Sequence, residues 1–124
     1  MAVPGAVADP SVVTTSEVSY SSRGAEVSAY VARPRDEQAA PGLLVIHEAF
    51  GRNPHIEDLA RRFAAAGYVA IVPDLYHTVG APPGDDIKQV VAKMSELDDR
   101  EILSDLQGAI RQLRGDEGGT SVRC

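Results

Sequence analysis

Three observations predict an α/β fold. Residues 43–72 run strand, helix, strand within about 30 residues, the usual size of a βαβ unit. Two segments rich in β-branched residues precede that unit and are separated by a short glycine-containing turn. Apolar residues at helical spacing follow it, and then the entrance to a further strand. Strands alternating with helical patterns read as a mostly parallel sheet with helices packed on it.

Each element has its own justification. Residues 1–11 read as a flexible arm, interrupted by Pro4, Gly5 and Pro10. Residues 12–33 read as a β-hairpin, with β-branched types over 12–20 and a turn at Ser21-Ser22-Arg23-Gly24. Its second limb sets Glu26, Ser28 and Tyr30 against Val27, Ala29 and Val31, the alternation of a strand with one buried face. Pro34 to Pro41 is a polar loop. Leu43 to His47 is a continuous apolar run ending in histidine, which predicts a strand covered on both faces. Asn53 is an N-cap residue with Pro54 at the first helical position. Ile56, Leu59, Ala60, Phe63 and Ala64 then recur at helical spacing, and Gly67 fits the position just past the helix end. Tyr68 to Val72 is a second buried strand stopped by Pro73, which completes a βαβ unit over 42–72.

Thr78 to Gly84 holds two glycines and two prolines and reads as loop. Residues 85–114 read as helices. Asp85 or Asp86 caps the first, which carries Ile87, Val90, Val91, Met94 and Leu97; Ile102, Leu103, Leu106, Ile110 and Leu113 form the stripe of the second. Gly115, Gly118 and Gly119 end it, and residues 120–124 read as the start of the next strand. The whole chain, 1–124, is thus a single domain.

Composition narrows the function classes. The chain has 124 residues, 44% hydrophobic and 24% charged, which is ordinary for a globular domain but short for an α/β enzyme. Twelve basic residues stand against eighteen acidic ones, for a net charge of −6, and the basic ones form no patch, so nucleic acid is not expected as a partner. No apolar run approaches the ~20 residues of a membrane span, and the N-terminus makes a poor signal peptide. The one cysteine, Cys124, permits no internal disulfide and no zinc spacing. A cytoplasmic protein acting on small molecules is the expectation.

Glu48 is the first candidate for chemistry. It sits where the strand Leu43 to His47 stops, and ligands of open α/β sheets bind just beyond the carboxyl ends of parallel strands. A polar residue simply leaving a strand is the alternative at that position. Tyr76 and His77 follow the second parallel strand at the same end of the sheet and are candidates for substrate contact. Asp74 suits the backbone N–H groups of the turn after Pro73. His47, next to Glu48 in a strand, would point to the opposite face and is read as packed or hydrogen-bonded. His55, near a helix N-terminus, is read as capping or exposed. Because position 51 is Gly51, His-Glu-x-x-His is absent, and no metal is expected. No glycine-rich phosphate fingerprint follows a strand, so no cofactor is expected either.

The segment Leu43 to His77, LLVIHEAFGRNPHIEDLARRFAAAGYVAIVPDLYH, resembles the dienelactone hydrolase family, the carboxymethylenebutenolidase-like branch of the α/β-hydrolases. The signatures are His-Glu-x-x-Gly, Asn-Pro-His-Ile, Ala-Ala-Gly-Tyr and Pro-Asp-Leu-Tyr, in that order. The resemblance is sharp over residues 41–77 and looser for the hairpin and for residues 99–114. It implies the N-terminal portion of an α/β-hydrolase fold and an enzyme that hydrolyses a small lactone or ester. It further implies that Glu48 helps activate a cysteine (or serine) nucleophile and that the Ala49 backbone N–H is one of two oxyanion donors.

Two departures qualify that implication. The nucleophile of this fold sits on a Gly-x-Ser-x-Gly or Gly-x-Cys-x-Gly turn, and no such sequence occurs here. Nucleophile, acid and histidine are therefore expected beyond Cys124, the chain alone is expected to be inactive, and the third strand is expected to present an open edge that invites self-association. In addition, the best-known members carry an arginine after Asp-Leu-Tyr that pairs with the resting glutamate. Between Arg62 and Arg100 this chain has only Lys88 and Lys93 as cations. A non-catalytic fragment or self-associating module is the competing reading. A flavodoxin-like ligand binder is disfavoured by the leading hairpin.

Overall fold

The computed structural model describes residues 10–35, 40–115 and the backbone of 122–123. A single 3-10 turn at Pro10–Val12 leads into β1 (Val13–Ser22) and β2 (Ala25–Pro34). Then follow β3 (Ala40–Leu44), α1 (Pro54–Ala65), β4 (Val69–Pro73), α2 (Ile87–Ser95), α3 (Asp99–Leu113) and β5 (Val122–Arg123). The sheet order is β1-β2-β4-β3-β5. β1–β2 and β2–β4 are antiparallel, and β3–β4 and β3–β5 are parallel. A hairpin running antiparallel into a parallel β4–β3–β5 set is the arrangement expected of the N-terminal portion of an α/β-hydrolase sheet. Most of the arm predicted over 1–11, and Cys124, lie outside the described residues.

The hairpin is longer than its sequence suggests. Ser21 and Ser22 belong to β1, opposite Glu26 and Ala25. The turn shrinks to Arg23-Gly24, both at positive φ (51° and 79°). Two consecutive left-handed residues give the tight turn whose twist matches that of the flanking strands.

Helices cover both faces of the sheet. Alternate residues of β4 point to opposite faces. Ala70 and Val72 join Ala32, Val45, Ile56, Ala60 and Ala64 under α1. Val69 and Ile71 join Tyr20, Val27, Ala29, Ala109 and Leu113 under α3. The caps of α1 follow directly from its sequence: Asn53 Oδ1 accepts the Ile56 N–H at 3.0 Å, Pro54 opens the helix, and Gly67 past its end takes φ +108°. Asp86 caps α2 and Asp98 caps α3.

Three expectations need correction. First, β3 is Ala40–Leu44 rather than Leu43 to His47. Its last ladder bond runs from Val45 N–H to Ile71 O at 2.9 Å, after which the chain leaves the sheet. Ile46 is 55% exposed, so the run is not covered on both faces. Second, the buried face of α3 is Asp105, Gly108, Ala109 and Leu113, while Leu103 is exposed. The helix turns its small residues inward because α3 lies directly on Tyr20: a Cβ at Gly108 would lie 2.7 Å from Tyr20 Cδ2. Third, α2 buries only Val90 and leaves Ile87, Val91 and Met94 exposed. Among the described residues no helix is long and apolar enough to cross a membrane.

Candidate active site

The chain leaves β3 at Val45 and makes a tight turn at Glu48–Gly51, closed by Gly51 N–H donating to Glu48 O at 3.0 Å. Gly51 takes φ +89°, and a Cβ there would crowd Ala81 Cβ and Tyr76, at 3.3 and 3.5 Å. The left-handed conformation favours glycine here, and a Cβ would also sit tightly against Ala81. Glu48 projects from this turn with its side chain exposed.

The segment after β4 forms the bed on which the turn rests. Asp74 Oδ1 accepts the Tyr76 N–H at 3.0 Å, a local turn of the kind short carboxylates favour. This folds the chain so that Tyr76 enters the interior, only 2% exposed, with its ring stacked on His47 at 5.5 Å between centroids. The Tyr76 hydroxyl donates to Ala49 O at 2.6 Å. Burial pushes its pKa up, so it remains a donor. His47 bridges the two segments: its Nε2 accepts the Leu75 N–H at 3.0 Å, and its Nδ1 lies 2.8 Å from Glu48 O. His47 is thus packed and fully hydrogen-bonded, but just before the turn rather than on a strand face.

The structure brings Glu48, Ala49, His47 and Tyr76 together. Tyr76 holds the turn from beneath, its ring drawn inward by stacking on His47. His77 Nε2 lies 2.7 Å from Asp105 Oδ2 on α3, with the two side chains 11% and 3% exposed. That contact ties the post-β4 segment to the helix. Asp105 was not legible as a site residue. The available signal was a carboxylate four residues before Ala109 and eight before Leu113, on the face that proves to be buried.

Nearby cations are engaged elsewhere. Arg52 grips Glu17 with two nitrogens, at 3.0 and 2.7 Å, and lies 3.4 Å from Glu57. Lys93 Nζ donates to Val79 O at 2.9 Å and lies 3.4 Å from Glu96. Among the described residues the Glu48 carboxylate has no ion-pair partner. Among them, too, no three His, Cys, Asp or Glu side chains converge as a metal site would require. A cleft of about 150 Å³, lined by Val18, Val31, Val69, Ile71 and Leu113 among others, lies toward the amino end of β4, opposite the end where Glu48 emerges.

The sequence profile of the dienelactone hydrolase family matches residues 27–123. The chain belongs to that family. It is 43% identical over 82 residues to the hydrolase fragment YghX of Escherichia coli K12, covering 64% of this chain and 70% of that protein. It is 34% identical over 113 residues to a protein of Methylorubrum extorquens described as a carboxymethylenebutenolidase, covering 86% of this chain but 38% of that one. Among solved structures, one described as a dienelactone hydrolase from Klebsiella pneumoniae superimposes with a TM-score of 0.78 at 35% identity, covering 88% of this chain and 46% of that one. The chain thus spans less than half the length of that hydrolase and of its carboxymethylenebutenolidase relative. Family membership supports a hydrolase, and the turn just described lies within the matched residues, at His47-Glu48-Ala49-Phe50-Gly51.

Proposed function

We propose that this chain supplies the glutamate and oxyanion side of an ester or lactone hydrolase site, completed by a nucleophile that lies beyond its 124 residues. The observation that carries this reading is the Glu48–Gly51 turn. Its carbonyls are held from beneath by His47, Tyr76 and Gly51, while the Glu48 carboxylate stands exposed beyond the carboxyl end of β3. A rigid turn of this kind suits an oxyanion donor, which acts best when it need not reorganise as charge develops.

In the proposed reaction, Glu48 favours the thiolate of a cysteine (or assists a serine). The nucleophile adds to the carbonyl carbon of a small lactone or ester. Ala49 N–H, with a second donor, binds the oxygen that becomes negative. The tetrahedral species collapses, the alkoxide leaves and takes up a proton, and water then cleaves the acyl-enzyme to the carboxylic acid and frees the nucleophile. No cofactor takes part, and the reaction belongs in the cytoplasm.

The test is turnover of a chromogenic short-chain ester and of a dienelactone by a full-length protein joining this chain to the in-frame continuation of its gene. The continuation is expected to encode Gly-x-Cys-x-Gly or Gly-x-Ser-x-Gly, and Glu48→Gln is expected to lower kcat/KM by about 10²-fold or more, in the range of general acid–base contributions. Undiminished turnover in Glu48→Gln would refute the role of Glu48.

A second reading draws on β3. β5 pairs only with Ala40 and Pro41, which leaves Gly42–Leu44 without an outer neighbour among the described residues. Unpaired strand edges invite association, and the alternative function is a self-associating, non-catalytic module. Sedimentation of this chain over a range of concentrations tests it: a monomer throughout would remove this reading.

A further inference from the structure

We propose that His47, held as the neutral Nδ1–H tautomer, is the positioning residue that aims the Ala49 N–H. This deepens the proposed function and rests on it for the significance of Ala49, though not for the geometry.

The tautomer follows from its two partners. Leu75 N–H can only donate, so Nε2, 3.0 Å away, must carry a lone pair. Glu48 O can only accept, so Nδ1, 2.8 Å away, must carry the proton. The neutral ring with hydrogen on Nδ1 satisfies both bonds, whereas the other tautomer satisfies neither. A protonated ring keeps the Glu48 bond but sets Nε2–H against Leu75 N–H. The ring is 7% exposed, so water offers little substitute.

The link to Ala49 is covalent geometry. Glu48 C=O and Ala49 N–H belong to one trans peptide, so they point in opposite directions in one plane. His47 Nδ1–H and Gly51 N–H together grip that carbonyl. Fixing the C=O therefore fixes the N–H. Tyr76 clamps the next peptide through Ala49 O, so two successive peptide planes are held. The charged and titratable groups on the two segments packed against the ring are few. Glu48 is exposed, Asp74 accepts from Tyr76 N–H, Tyr76 stacks on the ring, His77 is paired with Asp105, and Arg52 is paired with Glu17.

Heteronuclear NMR of the ¹⁵N-labelled 124-residue chain tests this without any turnover. At neutral pH the His47 ring is expected to show a protonated Nδ1 and a bare Nε2. His47→Gln, which carries both an acceptor and a donor, should keep the Ala49 amide resonance near its wild-type position. His47→Leu, which carries neither, should displace it and let the Leu75 amide exchange roughly fivefold faster or more, the factor a typical hydrogen bond supplies. An Nε2–H tautomer, or an Ala49 amide unmoved in His47→Leu, overturns the proposal. If the NMR results hold while Glu48→Gln leaves turnover of the full-length protein intact, the functional reading fails and the positioning stands. The reverse pattern sinks the positioning alone.

Discussion

Gly108→Ala is a substitution whose sign depends on one neighbour. In an ordinary exposed helix the change would help, because alanine is favoured over glycine by about 1 kcal/mol. Here the new methyl would sit 2.7 Å from Tyr20 Cδ2, well inside contact distance, and the ring is 4% exposed with little room to yield. Overpacking of this kind costs about 1–3 kcal/mol. Moving α3 outward would also stretch the 2.6 Å bond from Tyr20 hydroxyl to Asp105 O and the 2.8 Å contact between Ser22 and Ser104, each worth about 1 kcal/mol. The net expectation is destabilisation of about 1–3 kcal/mol in an otherwise unchanged chain. With Tyr20→Ala as background the obstacle is gone, and Gly108→Ala should instead stabilise by about 1 kcal/mol. Urea unfolding of the four proteins, followed by far-ultraviolet circular dichroism, closes the cycle. An equal effect of Gly108→Ala in both backgrounds would show that the α3–hairpin contact does not govern how this helix sits.

Two further outcomes follow from buried ionisable groups. Replacing His77 by leucine leaves the buried Asp105 carboxyl without this hydrogen-bond partner, which should cost about 1–3 kcal/mol, whereas His77→Leu with Asp105→Leu should recover part of that loss; denaturant unfolding of the single and double variants measures it, and equal losses would deny the coupling. The Tyr20 phenol has its pKa raised, first by burial and then by the Asp105 carboxylate. Its stabilising contribution is therefore complete below the ordinary tyrosine value near 10 and is lost as pH rises above it, because the unfolded chain releases the proton first. Tyr20→Phe should lower stability at neutral pH yet flatten its decline between about pH 10 and 11, read from unfolding midpoints across that range; parallel declines would refute the assignment.

The sequence by itself determined several elements whose signal is local. Asn53-Pro54 and Gly67 bounded α1, the apolar run before Pro73 marked β4, and the ordered motifs between Leu43 and His77 pointed to the family. These features report on residues a few positions apart, where capping, φ preference and hydropathy act. The place of Glu48 at the carboxyl edge of the sheet was legible for a related reason, since it stands where a parallel strand stops; the role of Ala49 was an expectation from the family resemblance alone. Only the tertiary structure decided the rest. It set β4 between β2 and β3, ended β3 before His47, turned α3 to bury Asp105 instead of Leu103, and placed Tyr76 beneath the turn. The partners concerned are far apart in sequence: His47 with Leu75, His77 with Asp105, Tyr20 with Asp105 and Gly108. Periodicity shows that a helix has an apolar side. Which polar or small residue joins that side is settled by what it meets across the sheet, and here that was an aromatic ring with no space for a methyl group.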